Sequence, residues 1–231
     1  MDFFKNVGVL ISDEKYMGML FEGLGQTLLV SLFAALLGLV LGTIVALVAI
    51  SDEHNPAMKI PKAICKIYVT VIRGTPMALQ LFIMAYAIFA IRGFPQQITA
   101  ILAFGINSGA YVSESIRGGI LSVDIGQTEA GLALGLPRNI TMMKIVIPQA
   151  IKNVIPAIGN ELIALIKETS IVSMIGMYDL TQAAKVIGAG NNMASYIVPM
   201  SVAACFYLVI VYALTLGIKT IERRLRAGDK R

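Results

Sequence analysis

Residues 126–148, GQTEAGLALGLPRNITMMKIVIP, form a polar insert in an otherwise membrane-like chain. Helix-forming residues occupy positions 128–134, and Gly135 follows them at a place where glycine commonly ends a helix. The insert therefore predicts a short surface helix that is suited to act as a lever when another subunit pushes on it. A plain surface loop is the alternative interpretation of the same residues.

Composition assigns the chain to the membrane. Of its 231 residues 57% are hydrophobic and 14% are charged, which is far too apolar for a soluble domain of this length. The single histidine, His54, lies in a polar run without a second ligand at metal spacing, so we expect no metal site. No GxxxxGK[ST] loop is present to cradle ATP, so we expect a non-catalytic chain whose energy comes from another subunit.

Hydropathy predicts one all-α transmembrane domain covering residues 1–231. A span needs roughly 20 apolar residues, and five segments approach or exceed that length. The segment before the second span is an amphipathic lead-in, and the fourth span carries polar and charged residues. The predicted spans are residues 24–50, 75–91, 98–116, 153–177 and 194–218, with a cytosolic connection at residues 117–152.

The distribution of Lys and Arg predicts the orientation. One set of alternate connections holds thirteen of these residues, among them Lys62 and Lys66 of the amphipathic lead-in, and the other set holds four. Short cytoplasmic connections carry the excess of positive charge, so we expect the amino terminus outside, the carboxyl terminus inside, and residues 126–148 in the cytosol. The basic balance of the chain therefore reports topology and does not indicate nucleic-acid binding.

The cytosolic insert resembles the EAA loop of bacterial ABC importer permeases. That loop has the pattern EAA, three residues, G, nine residues, I, one residue, LP. Here Glu129-Ala130-Gly131 is followed by Gly135 and then by Ile145-Val146-Ile147-Pro148. Gly131 replaces the second alanine and Ile147 replaces the leucine. The resemblance implies that an ATPase docks on Gly126, Gln127, Glu129, Ala130, Gly131 and Gly135.

Further blocks resemble the polar amino-acid branch of these permeases, which takes up histidine, glutamine, arginine or cystine. They are Arg73-Gly74-Thr75-Pro76, residues 109–120 (GAYVSESIRGGI), Gly126-Gln127 and Lys167-Glu168-Thr169-Ser170. The resemblance implies a MetI-like permease fold in a bacterial cytoplasmic membrane. It also implies a second permease copy or related chain, two ATPase subunits that hold ATP and Mg, and an extracytoplasmic amino-acid-binding protein.

Polar residues within the third and fourth spans are candidates for a translocation cavity. Asn107, Tyr111 and Glu114 are spaced so that they share one helix face. Asn160 and Glu161 begin two neighbouring polar rows on the fourth span, and ionisable groups within a membrane mark function by default. A cavity with carboxylates and an amine suits both ends of a zwitterion, so we expect these five residues to bind the substrate.

Other polar residues have a structural interpretation. Gly74 and Pro76 weaken a helix, so the lead-in can bend sharply into the second span, with Arg73 near the headgroups. We expect Lys167 and Glu168 to belong to an internal Glu–Lys network that braces the helices.

These patterns predict the permease subunit of an ATP-driven amino-acid importer that works by alternating access. An ion-coupled secondary carrier is the alternative, although such carriers usually show more spans and paired internal repeats.

Overall fold

A computed structural model describes residues 2–51, 55–190 and 196–227, and within these ranges the regular structure is entirely helical. His54 lies outside the described residues. Short 3₁₀ segments (Pro56–Met58, Thr169–Ile175) and π turns (Met84–Ile88, Met142–Val146) join or extend the α-helices. The α-helices are α1 (Asp2–Ser12), α2 (Glu14–Ala49), α3 (Lys59–Gly74), α4 (Met77–Ile83), α5 (Gln96–Leu121), α6 (Ile125–Ala133), α7 (Arg138–Thr141), α8 (Ile147–Glu168), α9 (Leu180–Ala189) and α10 (Ile197–Arg226).

The chain divides into two compact units. The first unit comprises residues 1–36, 76–105 and 163–214. The second comprises residues 37–75, 106–162 and 215–231. The prediction of a single domain with five spans is not decided by this division and stays a prediction.

Two apolar clusters form the core of the first unit. One gathers Leu10, Leu20 and Leu180 with residues of α9 and α10, and the other gathers Leu81, Phe104 and Val172 with their neighbours. Leu10, Leu20, Leu81, Phe104 and Leu180 are completely buried. Close packing holds these clusters together, because each pair of apolar atoms in contact gains a small dispersion energy and a buried side chain makes many such contacts.

A buried carboxylate starts helix α9 in the first unit. Asp179 is completely buried, and its side chain accepts hydrogen bonds from the backbone N–H groups of Thr181 at 3.1 Å and Gln182 at 2.8 Å. Burial raises the pKa of the Asp179 carboxyl, and these hydrogen bonds oppose that rise. The hydroxyl of Thr27 accepts a hydrogen bond from the next backbone N–H, that of Leu180, at 3.1 Å. Side chains therefore satisfy the first backbone N–H groups of α9.

Glycines allow two helical segments of the second unit to approach closely. A Cβ added to Gly38 would lie 2.6 Å from the Ser108 hydroxyl, and one added to Gly42 would lie 2.8 Å from the Gly109 carbonyl oxygen. Tyr68 of α3 donates a hydrogen bond to the Ile106 carbonyl oxygen at 2.5 Å. The small-residue spacing at Gly38 and Gly42 thus serves packing, which is the commoner use of such a pattern.

The predicted bend after the lead-in is confirmed. Helix α3 ends at Gly74, Thr75 is extended with φ −123° and ψ 147°, and Pro76 precedes α4. The missing N–H of proline and its effect on the preceding residue account for the break.

Candidate functional site

A charged cluster connects α3 with α5 in the second unit. The Arg117 guanidinium donates to both carboxylate oxygens of Glu114, from Nε at 3.0 Å and from Nη2 at 2.9 Å. Arg73 Nη1 lies 3.5 Å from Glu114 Oε2. The Glu114 side chain keeps 29% of its surface exposed, so these pairs orient the three side chains more than they stabilise the fold.

Arg73 also faces an aromatic ring. Its guanidinium carbon lies 5.2 Å from the centroid of the Tyr111 ring, within the range of a cation–π contact. The sequence placed Arg73 with the kink and placed Tyr111 and Glu114 on a separate polar face. The structure brings these three residues together, because α3 lies beside the polar face of α5.

A cavity of about 470 Å³ lies beside this cluster, within the second unit. Four basic side chains line it, Lys62, Lys66, Arg73 and Arg117, against the single carboxylate of Glu114. Its walls come from α2, α3 and α5, and the remaining lining residues are Val45, Ala46, Ala49, Cys65, Val69, Thr70 and Ser113. The excess of positive charge makes the cavity suited to an anionic group such as a carboxylate.

The structure does not gather all five predicted substrate residues around this cavity. Glu114 lines it, while Asn107, Tyr111, Asn160 and Glu161 are not among its lining residues. Asn107 is buried in α5, Asn160 is exposed on α8, and Glu161 is half-buried next to it. The assignment of these residues to substrate binding therefore stays a prediction.

The two structural candidates on the fourth predicted span lie in the first unit. Lys167 and Glu168 end helix α8, and both are exposed. Thr169 follows them in the 3₁₀ segment and is completely buried, with its hydroxyl 3.4 Å from that of Ser31.

Lys62 and Lys66 are cavity residues that sequence reasoning assigned to topology alone. A signal was present, because Lys62, Lys66 and Arg73 are spaced by four and seven residues and so share one face of α3. Sequence alone could not show what that face contacts. In the structure it faces α5 and the cavity, and Lys62 Nζ also donates to the Ser51 carbonyl oxygen at 2.7 Å.

The EAA-like stretch forms a short helix, α6, with a defined start and end. The Asp124 side chain caps its start by accepting a hydrogen bond from the Gly126 N–H at 2.6 Å. As predicted, the helix ends just before Gly135, which adopts a left-handed conformation with φ +77°. There the Leu136 N–H donates to the Gly131 carbonyl oxygen at 3.1 Å, as in a Schellman motif.

Gly131 marks the buried side of α6. A Cβ at Gly131 would lie 2.5 Å from Thr141 Cγ2 and 3.2 Å from Ile145 Cδ1, so the departure from the EAA pattern has a packing reason. Glu129 and Ala130 are exposed on the other side.

More of the α6 region remains open. Gln127 is exposed and accepts a hydrogen bond from the Gln149 amide at 3.2 Å. The large apolar residues Ile125, Leu132 and Leu134 are also exposed, by 74%, 47% and 81%. Such a mixed polar and apolar surface is typical of a docking site for a protein partner.

The helices define a polytopic membrane protein. Among the described residues, α2 and residues Ile197–Leu225 of α10 are long and apolar enough to cross a bilayer. The bent pair Pro56–Gly74 and Met77–Ile88 adds a third crossing if it counts as one span.

The chain belongs to the family described as "Binding-protein-dependent transport system inner membrane component", whose model matches residues 38–227. It is therefore a multi-pass inner-membrane protein of a family of transporter permease subunits. Membership implies that it works with an ATPase and a substrate-binding protein.

Named relatives agree with the predicted branch of the family. The chain is 41% identical over 210 residues to the arginine transport system permease protein ArtQ of Bacillus subtilis (strain 168), covering 90% of this chain and 93% of that one. It is 38% identical over 206 residues to a putative glutamine transport system permease protein GlnP of Rickettsia felis, covering 88% and 91%. The resemblance to polar amino-acid ABC permeases is thus confirmed.

A solved structure shares the fold. The crystal structure of an amino acid ABC transporter with histidines matches with a TM-score of 0.84 and 36% identity, covering 93% of this chain and 98% of that one. The predicted all-α, MetI-like ABC permease fold is confirmed. The alternative of an ion-coupled secondary carrier receives no support from these comparisons.

Proposed function

We propose that this chain is the membrane-spanning subunit of an ATP-driven importer, which moves a polar amino acid across the cytoplasmic membrane by alternating access. The observation that carries the proposal is the basic cavity beside the Arg73–Glu114–Arg117 cluster in a chain of this family. The cavity volume falls in the range of about 300–1,000 Å³ that is typical of small-molecule binding sites. The names of the relatives support an amino acid as the substrate.

The cavity is suited to the part that all amino acids share. Lys66 and Arg73 offer donors to the substrate carboxylate, while Glu114 is already held by two guanidinium groups. Asn107, Tyr111, Asn160 and Glu161 remain our candidates for contacts with the rest of the substrate. A carboxylate contact does not select the side chain, so it is compatible with relatives named for arginine and for glutamine.

Helix α6 is the proposed docking point for the ATPase. Gly131 fixes one side of the helix against Thr141, while Glu129 and Ala130 are exposed on the other. The proposed contact also includes Gly126 and Gln127 in the first turn of α6 and Gly135 just after its end. Because α6 is packed against α7 on its buried side, a displacement of its exposed side by the ATPase also moves the helices before and after it, α5 and α7. This movement couples closure of the ATPases to the transmembrane spans.

The proposed assembly has two permease chains and two ATPase subunits, with ATP and Mg held by the ATPases. The chain itself binds and moves substrate without catalysing a reaction. The positive-inside rule supports a cytosolic α6 and carboxyl terminus, an amino terminus outside, and five spans. The extracytoplasmic binding protein delivers the amino acid from the side of the amino terminus.

Docking is tested by copurification of the chain with its ATPase. Glu129→Lys reverses a charge on the exposed side of α6 and is expected to abolish both copurification and ATP-dependent uptake. Asn139→Lys adds a positive charge to an exposed position of nearby α7 and is expected to preserve both. If Glu129→Lys still binds the ATPase and transports normally, α6 is not the docking point.

The carboxylate contact is tested by uptake into liposomes that contain the permease and its ATPase. Lys66→Met removes a cavity charge and is expected to raise KM roughly tenfold for arginine, glutamine, histidine or cystine, whichever is carried, as for the loss of one charge-assisted hydrogen bond. Lys59→Met removes the same charge from an exposed position of α3 outside the cavity lining and serves as the matched control. Equal KM values for the two variants would contradict the proposed contact.

A further inference from the structure

Helix α1 has an apolar side that the protein covers only in part. At 100° per residue, Phe4, Val7, Leu10 and Ile11 lie on one broad face, while Lys5 lies away from it. Leu10 is completely buried, and Val7 packs against the same cluster. The adjoining edge of that face is open, with Phe4 exposed by 83% and Ile11 by 54%.

The contacts of Leu10 show which part of the membrane-crossing helices lies beside the open edge of α1. Leu10 shares its buried cluster with Val198 and Val202, which lie in the first two turns of α10. Because α10 is apolar from its first residue and long enough to cross a bilayer, α1 lies beside the end of a crossing helix. Ile197, the first residue of α10, is itself 66% exposed.

Helix α2 also exposes an apolar side chain next to α10. Phe21 is 56% exposed and packs edge to face against Phe206 of α10, with ring centroids 5.4 Å apart. Phe4, Ile11, Phe21 and Ile197 thus expose apolar surface on three helices that meet in one cluster of the first unit. This distribution is typical of the boundary between lipid chains and headgroups.

The chain separates α1 from α2 at Asp13. The Asp13 carboxylate accepts hydrogen bonds from the backbone N–H groups of Lys15 at 2.8 Å and Tyr16 at 3.3 Å. These bonds cap the start of α2, while the Asp13 N–H donates to the Val9 carbonyl oxygen of α1 at 3.1 Å, so the two helices meet at Asp13.

We propose that α1 is an interfacial membrane anchor, whose Phe4–Ile11 edge is covered by lipid acyl chains at the surface where α2 and α10 begin. Lys5 then faces water and the headgroup phosphates, as basic residues do on the polar side of such helices. The occupant is lipid because the open edge continues the exposed apolar surface of crossing helices. The anchor fixes α1, and with it the cluster under α9, at a constant depth in the membrane.

Single tryptophans provide the test, because the sequence contains none. Phe4→Trp reports on the open edge, Ile11→Trp reports on the same edge about two turns further along α1, and Lys5→Trp is the matched control on the polar side. Each full-length variant is reconstituted into phosphatidylcholine vesicles, after its gel-filtration profile has been shown to match that of the parent. Fluorescence is then quenched from the bilayer by lipids brominated on their acyl chains, and from water by acrylamide.

The anchor predicts that Trp fluorescence at positions 4 and 11 is shifted to the blue and is quenched by brominated lipid about twofold or more above the control, as for residues at the headgroup–acyl boundary. Acrylamide is expected to quench the Lys5→Trp variant most. Equal acrylamide quenching at the three positions, without quenching by brominated lipid, would overturn the proposal. Shielding that arises only after the substrate-binding protein is added would overturn it too, because the occupant would then be a protein.

Discussion

Replacing Gly131 with alanine would restore the EAA pattern, yet the structure predicts that this chain would lose stability. The added Cβ would lie 2.5 Å from Thr141 Cγ2 and 2.9 Å from its hydroxyl oxygen. Thr141 is completely buried, β-branched and therefore stiff, and its hydroxyl donates to the Pro137 carbonyl oxygen at 3.3 Å. Neither side of the contact can move freely.

The size of the effect is a difference between two terms. Overpacking a filled site costs about 1–3 kcal/mol, whereas alanine is favoured over glycine inside a helix by roughly 0.5–1 kcal/mol. The difference therefore spans about 0–2.5 kcal/mol and centres near about 1 kcal/mol of lost stability. For a chain of this length 1 kcal/mol corresponds to about 2–4 °C, so we expect the apparent Tm to fall by roughly 2–4 °C.

The assay is the loss of the monodisperse peak in size-exclusion chromatography after heating in detergent. Gly118→Ala is the control, since a Cβ there would have no neighbour within 4 Å, and it should not lower the apparent Tm. The double variant Gly131→Ala/Thr141→Ser lacks the obstructing methyl and should recover at least half of the loss. The packing argument is refuted if Gly131→Ala is as stable as Gly118→Ala, or if the second change restores nothing.

Three further predictions use the same assay. Gly42→Ala should lower the apparent Tm because its Cβ would meet the Gly109 carbonyl oxygen at 2.8 Å, whereas Gly25→Ala on the same helix has free space and should not. Gly135→Ala should destabilise by about 1 kcal/mol because φ is +77°, while Gly135→Asn should be tolerated better; equal losses would contradict this. Burial raises the pKa of Asp179 in the folded state above its value in the unfolded chain, so protonation of Asp179 stabilises the folded state. This contribution to stability is lost as the pH rises through the raised pKa. Asp179→Asn should remove that part of the pH dependence, and an unchanged Tm–pH curve would count against it.

The cytosolic insert shows how far local sequence reaches. Helix-forming residues at positions 128–134 followed by Gly135 predict α6 and its end, because helix propensity and the left-handed glycine act over a few residues. The structure added the start of the helix, which Asp124 caps. The same reasoning predicts the break at Gly74 and Pro76. It does not explain why position 131 carries glycine, since that depends on Thr141 in another element.

The charged cluster shows where local reasoning stops. Spacing along α5 puts Tyr111 and Glu114 on one face, but the partner of that face is Arg73, far away in the chain. Lys66 was assigned to topology because its positive charge is visible in the sequence, while the cavity beside it is not.

The sequence by itself determined that the chain is a helical membrane protein with an EAA-like surface helix, a kink after Arg73 and a polar face on the third predicted span. These features follow from hydropathy, helix periodicity and backbone preferences, which act between residues close in sequence. The tertiary structure decided that Arg73, Glu114 and Arg117 form one cluster beside a basic cavity, and that Gly131 is a packing contact. Such contacts join distant segments, and they depend on how side chains of several helices fill the space between them.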